Sequence, residues 1–153
     1  MPDELESALR PHAEALADAI DRSLPGWVER CVERVHRERV GPPSGPVLAA
    51  AAAAGQEAQA DIGARVRALL AAPSDEQWTT PLTLLREGAA YPTRVLLEAG
   101  VAPRERDPMD TVMFPNDVYA LGPATFADLA PDLAEPGLAW GAAKAWVHRR
   151  RHG

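Results

Sequence analysis

Residues 46–72 read PVLAAAAAAGQEAQADIGARVRALLAA. Leu48, Ala51, Gly55, Ala58, Ile62, Val66 and Leu69 recur at helical spacing and share one face. The alanines of residues 49–54 are low in complexity. Alanine is nevertheless the best helix former, so the stretch predicts helix and not disorder. It is the longest helix expected in the chain. Its inward face is made of small side chains, which let a neighbouring backbone approach closely. Such a helix needs partners with apolar stripes of their own, and the flanking sequence supplies them.

Upstream, Leu5, Leu9, His12, Leu16 and Ile20 form a narrow stripe along a helix over residues 3–23. Pro11 within it predicts a kink or a later helix start. Ser23 is suited to cap a second helix, with Pro25 in its first turn. That helix runs to about Val40 and turns Leu24, Val28, Cys31, Val32 and Val35 inward. GPPSGP, residues 41–46, ends it. Residues 1–72 thus predict three helices packed up and down with short connections.

Downstream, Pro73 stops the long helix. Ser74-Asp75-Glu76-Gln77 has capping-box form and predicts a new helix, with Thr80-Pro81 as a second possible start. Trp78, Leu82, Leu85 and Ala89 fall on one face. Gly88 and Pro92 interrupt it, because Pro92 has no N–H for the Gly88 carbonyl. A short helix over 92–99 then ends at Gly100 as a cap.

Prolines recur at 103, 108, 115, 123 and 131, leaving room for turns and short helices near 116–120 and 123–129. Phe114, Tyr119 and Phe126 in this stretch predict an ordered wrap across the bundle, since disordered segments are poor in aromatics. A last helix is expected from near Pro136 to about residue 151. It sets Leu138, Ala142, Ala145 and Trp146 on one face, with Trp140 and Val147 nearly opposite. The expected fold is all-α, a single helical domain over 1–153. It divides into a bundle part at 1–72, broken helices and a Pro-rich wrap at 74–135, and a C-terminal helix at 136–151.

Composition agrees. Apolar residues make up 46% and charged residues 25%, ordinary for a globular domain. The net charge is −6, but residues 144–153 hold Lys144, Arg149, Arg150 and Arg151 and no acid, so the remainder carries −10. An acidic body argues against general nucleic-acid binding and confines any such contact to the basic end. Cys31 is the only cysteine, which excludes an intrachain disulfide and a cysteine-based zinc site. The opening MPDELESALR lacks the basic region and apolar core of a secretory signal. The longest uncharged run, residues 40–56, is too short and too interrupted by proline for a span of ~20 apolar residues. A cytoplasmic protein with no membrane span is expected.

Glu33-Arg34-Val35-His36 has Glu-x-x-His spacing, with Glu29 one turn earlier. Di-iron bundles need two such pairs, and the chain has one, so a solvated charged face is expected and no metal site. His12 lies on an apolar stripe, where a hydrogen-bonded core-edge histidine is the expectation. Cys31 also lies on an apolar face, with no histidine placed to activate it. Asp107, Asp110 and Asp117 with Tyr119 form a candidate acidic pocket, for which capping and turn roles are the structural alternative. There is no glycine-rich phosphate loop, no HExxH and no GxSxG, and no cofactor is expected. Lys144, set among small residues, is a candidate desolvated amine. His148, Arg149, Arg150 and Arg151 could meet phosphates or an acidic protein, or simply complement the helix dipole.

The strings Trp78-Thr79-Thr80-Pro81-Leu82, Tyr91-Pro92-Thr93, Ala99-Gly100-Val101, Phe114-Pro115-Asn116-Asp117-Val118-Tyr119 and Trp140-Gly141-Ala142-Ala143-Lys144-Ala145 resemble a group of small, uncharacterised cytoplasmic proteins of high-GC actinobacterial type. The resemblance covers about residues 74–150. It implies a bacterial, intracellular setting, and the group brings no established activity or catalytic residue.

The sequence therefore points to a non-catalytic interaction protein that meets another protein. Its candidate anchors are Tyr119, Phe126, Trp140 and Trp146, with Lys144, His148, Arg149, Arg150 and Arg151 beside them. Core packing is the structural alternative for the four aromatics, because a lean core must use the few it has. The alternatives are a small-ligand binder or enzyme using Asp107, Asp110, Asp117 and Tyr119, and a nucleic-acid or acidic-surface binder using the C-terminal arginines.

Overall fold

A computed structural model describes residues 4–77 and 79–153, so the expectation for Trp78 lies outside the described residues. The fold is all-α, and the described residues contain no strand. Among the described residues no helix is long and apolar enough to cross a membrane.

The first two expected helices are one. Helix α1 runs unbroken over Glu4–Arg39, with Pro11 and Pro25 inside it. Ser23 does not cap a new helix, because its Oγ donates to the Ala19 carbonyl at 2.7 Å within α1. Pro25 removes the N–H that would meet the Asp21 carbonyl. The side-chain amide of Gln59 donates to that carbonyl instead, at 2.9 Å. The helix therefore survives its proline by borrowing a donor from the next helix. Leu9, Ala13, Leu16, Ala17, Ile20, Leu24, Val28, Cys31, Val32 and Val35 are buried along it. His12 is exposed and is not on the core stripe. The stripe passes through Ala13, since straight 3.6-residue geometry from Leu9 to Leu16 favours 13 over 12.

At the end of α1 the ring Nδ1–H of His36 donates to the Gly41 carbonyl at 2.6 Å. Gly41 sits at φ 131°, where other residues are strained. Ser44 then caps α2, Gly45–Ala58, accepting from Val47 N. A π-helical turn, Gln59–Gly63, leads without a break into α3, Ala64–Ala71. A π turn takes an extra residue, which moves the inward position from the expected Leu69 to Leu70. Leu70 is 4% exposed, whereas Leu69 is half-buried and Leu48, at the open end, is exposed. The α2–α3 rod runs antiparallel to α1. Gly55 lies against Pro25, and Arg67 pairs with Asp18 at 2.9 Å.

The capping-box reading of residues 74–77 is corrected to a single 3₁₀ turn, Ser74–Glu76. The Ser74 N–H and hydroxyl both donate to Glu6 Oε1 on α1, so the hydroxyl does not cap a helix. Helix α4 opens instead at the second start, Pro81–Glu87, with Thr80 accepting from Thr83 N at 3.2 Å. Helix α5, Ala90–Glu98, follows the break at Gly88 and packs on α2 and α1. It ends in a Schellman motif: Gly100 N–H donates to Leu97 O and Val101 N–H to Leu96 O, both at 3.0 Å, with Gly100 at φ 80°.

The wrap is ordered, but its helices differ from expectation. They are α6, Pro108–Met113, and α7, Phe126–Leu129. No helix forms over 116–120, because the Asp117 carboxylate takes the N–H groups of Leu121 and Gly122 at 2.7 and 2.8 Å. Thr125 and Asp128 cap α7 reciprocally. A 3₁₀ turn, Pro131–Leu133, leads into α8, Ala134–His152. Helix α8 lies antiparallel to α1. Near its start Arg30 donates to Leu129 O at 2.8 Å, and at its end Arg151 pairs with Glu6 at 3.2 Å.

Candidate functional site

Helix α8 has two unlike sides. Trp140 and Val147 point into the bundle, 8% and 1% exposed. Phe126 meets Trp140 edge-on, with ring centroids 6.4 Å apart. Glycine is needed at 137, since a Cβ there would overlap the Phe126 ring. Lys144 donates to Gln77 Oε1 at 2.7 Å and lies 5.0 Å from the Trp140 ring centroid. Burial draws its pKa down, and the Glu6 carboxylate opposes that. Arg151 is also half-buried, reaching Glu6 and Ser74 Oγ. These two cations therefore fasten the helix to the body.

The other side is bare. Leu138 is 76% exposed and Trp146 is 36% exposed. Ala142, Ala145 and Arg149 are exposed with them. At helical spacing these five positions form one strip about 100° wide. The Arg150 guanidinium lies 5.3 Å from the Trp146 ring centroid, and the His148 and His152 rings lie 4.6 Å apart. The strip therefore joins an apolar stretch to a cationic end.

Of the four aromatics expected as anchors, Tyr119 and Trp140 are core. Tyr119 is 2% exposed and its hydroxyl donates to the Val101 carbonyl at 2.6 Å. Burial pushes its pKa up. Phe126 is half-buried on Trp140, which leaves Trp146 as the aromatic on the bare face. A lean helical core used the large rings first for packing.

The acidic constellation is divided. Asp107 is exposed and caps α6, accepting from Met109 N at 2.8 Å. Asp110 and Asp117 line one cavity of about 60 Å³ with Arg86, Arg106 and Phe114, and Tyr119 does not line it. That volume holds no more than a few waters. Arg106 donates to the Phe114 and Asp117 carbonyls, and the Arg86 guanidinium stacks 3.5 Å from the Phe114 ring centroid. The group therefore acts as a polar clasp holding the wrap to α4. Arg86 and Arg106 were not legible as partners, because on sequence they read as ordinary surface cations.

Glu33 pairs with Arg37 at 3.0 Å, Glu29 is exposed, and His36 serves the Gly41 turn. Among the described residues no three His, Cys, Asp or Glu side chains are grouped to hold a metal ion. Cys31 is buried, and burial pushes its thiol up to about 12 against the pull of Arg34 and Arg30. A thiol held that high supplies almost no thiolate for nucleophilic attack. Compared with protein-family models, with curated proteins and with solved structures, the chain finds no match.

Proposed function

We propose that the chain is a non-catalytic cytoplasmic interaction protein that docks an amphipathic, acidic helix of a partner protein on the bare face of α8. One observation carries this reading: Leu138 and Trp146 stand exposed at the two ends of an alanine floor, beside Arg149. Ala142 and Ala145 let a partner backbone come close, and the two large side chains offer anchors at i and i+8. The cationic end selects an acidic segment. An interfacial membrane helix is less well supported, because such helices carry a broad bulky apolar face and this strip is mostly alanine.

The test uses the full chain with a photo-crosslinking residue at position 142, in cells. A discrete protein adduct should form and should be lost on Leu138→Asp and on Trp146→Ala, with unchanged circular dichroism. An adduct indifferent to both substitutions would remove the basis for this surface. So would adducts to lipid alone.

A further inference from the structure

The C-terminal part of α1 and residues 104–120 of the wrap border a second concavity. It measures about 410 Å³ and is lined by Arg34, Val35, Glu38, Arg39, Arg104, Tyr119 and Ala120. That volume falls within the range of small-molecule sites.

Its charge is the unusual feature. Three guanidiniums face one carboxylate, a net charge of +2 in a chain whose total is −6. The three side chains are solvent-exposed, and no ion pair among the described residues holds them. Several other arginines pair with acids, Arg37 with Glu33, Arg65 with Glu87, Arg67 with Asp18, and Arg94 with Glu57, whereas these three converge on one concavity from two segments. The carbonyls ending α1 favour Arg39 by their dipole, but they do not account for Arg104, which arrives from another segment. Arg104 is held in place by its own backbone, whose N–H donates to Val118 O at 3.1 Å. The far wall holds Ala120 at φ 56°, a non-glycine residue in the left-handed region. That conformation is maintained by the Asp117 turn, and strained residues of this kind gather at binding sites.

We infer that this concavity binds a small phosphomonoester, with Arg34, Arg39 and Arg104 as its phosphate ligands. A phosphomonoester carries a charge of about −1.5 to −2 at neutral pH, which matches the wall. Guanidiniums meet phosphate oxygens through paired, charge-assisted hydrogen bonds. The cavity has room for a few carbons beyond the phosphate, and Val35 offers an apolar surface for them.

The experiment is calorimetric titration of the full chain in chloride buffer with inorganic phosphate, pyrophosphate and glycerol 3-phosphate. Glycerol 3-phosphate should bind one to one. Arg104→Gln and, independently, Arg34→Gln should each weaken it by about tenfold or more, the loss of roughly one charge-assisted pair. Arg22→Gln, an exposed arginine on α1 away from the cavity, should leave it within about twofold. Using two arginine variants guards against one failing to fold. The inference is overturned if no probe binds at millimolar concentration, or if Arg22→Gln weakens binding as much as the cavity variants do. Binding of a phosphoserine peptide through Arg104 with no binding of glycerol 3-phosphate would overturn the small-molecule assignment.

Discussion

Gln59 donates its side-chain amide to the carbonyl of Asp21 at 2.9 Å, and Asp21 is the residue that Pro25 leaves without a helical donor. This bond joins the two longest rods at the point where each departs from regular helix. It explains why a proline inside α1 does not end it. Removing the donor should cost about 1–2 kcal/mol, the penalty for an unpaired, partly buried carbonyl. In a Pro25→Ala background, residue 25 regains an N–H for Asp21, so Gln59→Ala should cost little. A double-mutant cycle by urea unfolding reads this directly. Equal costs in both backgrounds would show that the bond does not compensate for the proline.

Gly55 and Gly141 should respond oppositely to alanine. A Cβ at Gly55 would lie 2.9 Å from the Pro25 carbonyl oxygen and 3.0 Å from its Cα, both backbone atoms that cannot move aside. Gly55→Ala should therefore force the rods apart and cost about 1–3 kcal/mol. A Cβ at Gly141 meets nothing within 4 Å. Gly141→Ala should stabilise α8 by about 0.5–1 kcal/mol, the ordinary helix-propensity gain. Thermal midpoints of the two variants should shift in opposite directions.

Cys31 should be inert in the folded protein and should make stability depend on pH. Its folded pKa is raised from 9.0 to about 12, chiefly by burial. Its stabilising contribution is thus complete below pH 9 and declines as pH rises from 9 toward 12, because only the unfolded chain releases the proton. Tyr91, raised to about 12 by burial and its hydrogen bond to Asp61, declines with the same sign. The Cys31 share is isolated by comparing the wild type with Cys31→Ala. Chemical denaturation from pH 8 to 11 should give a shallower decline for the variant. Parallel curves would contradict the assignment.

Glu6 is the fastening point for both ends of the second half of the chain. Its Oε1 accepts from Ser74 N at 3.0 Å and from Ser74 Oγ, and it pairs with Arg151 at 3.2 Å. Glu6→Gln keeps the shape and weakens these charge-assisted bonds. It should cost about 1–2 kcal/mol and speed amide exchange at Ser74 and along the last turns of α8. Faster exchange at Ser74 alone would mean that Arg151 does not hold the helix end.

The helical class, the inward stripe over residues 24–35, the break at Gly88 and the Gly100 cap were all legible locally. Each depends on spacing or on one residue's backbone chemistry. Pro92, by contrast, does not interrupt the chain but sits in the first turn of α5. The continuity of α1 was not legible, because a proline reads as a boundary unless a distant donor replaces its N–H. Ser74 likewise reads as a cap until Glu6, far away in sequence, takes its donors. The two faces of α8 were visible as periodicity, but nothing local says which one is buried. Tyr119 and Trp140 look like anchors and are core, since solvent exposure is a property of the neighbours.

By itself, then, the sequence determined that the chain is helical and which residues bring charge. Helix propensity, caps and period are local quantities, summed over a few residues. Only the tertiary structure decided which stripes face each other, which arginines find acids, and which three gather around one concavity. Those depend on long-range pairings such as Gln59 with Asp21 and Gly55 with Pro25. Such pairings gain free energy only once the chain has closed on itself.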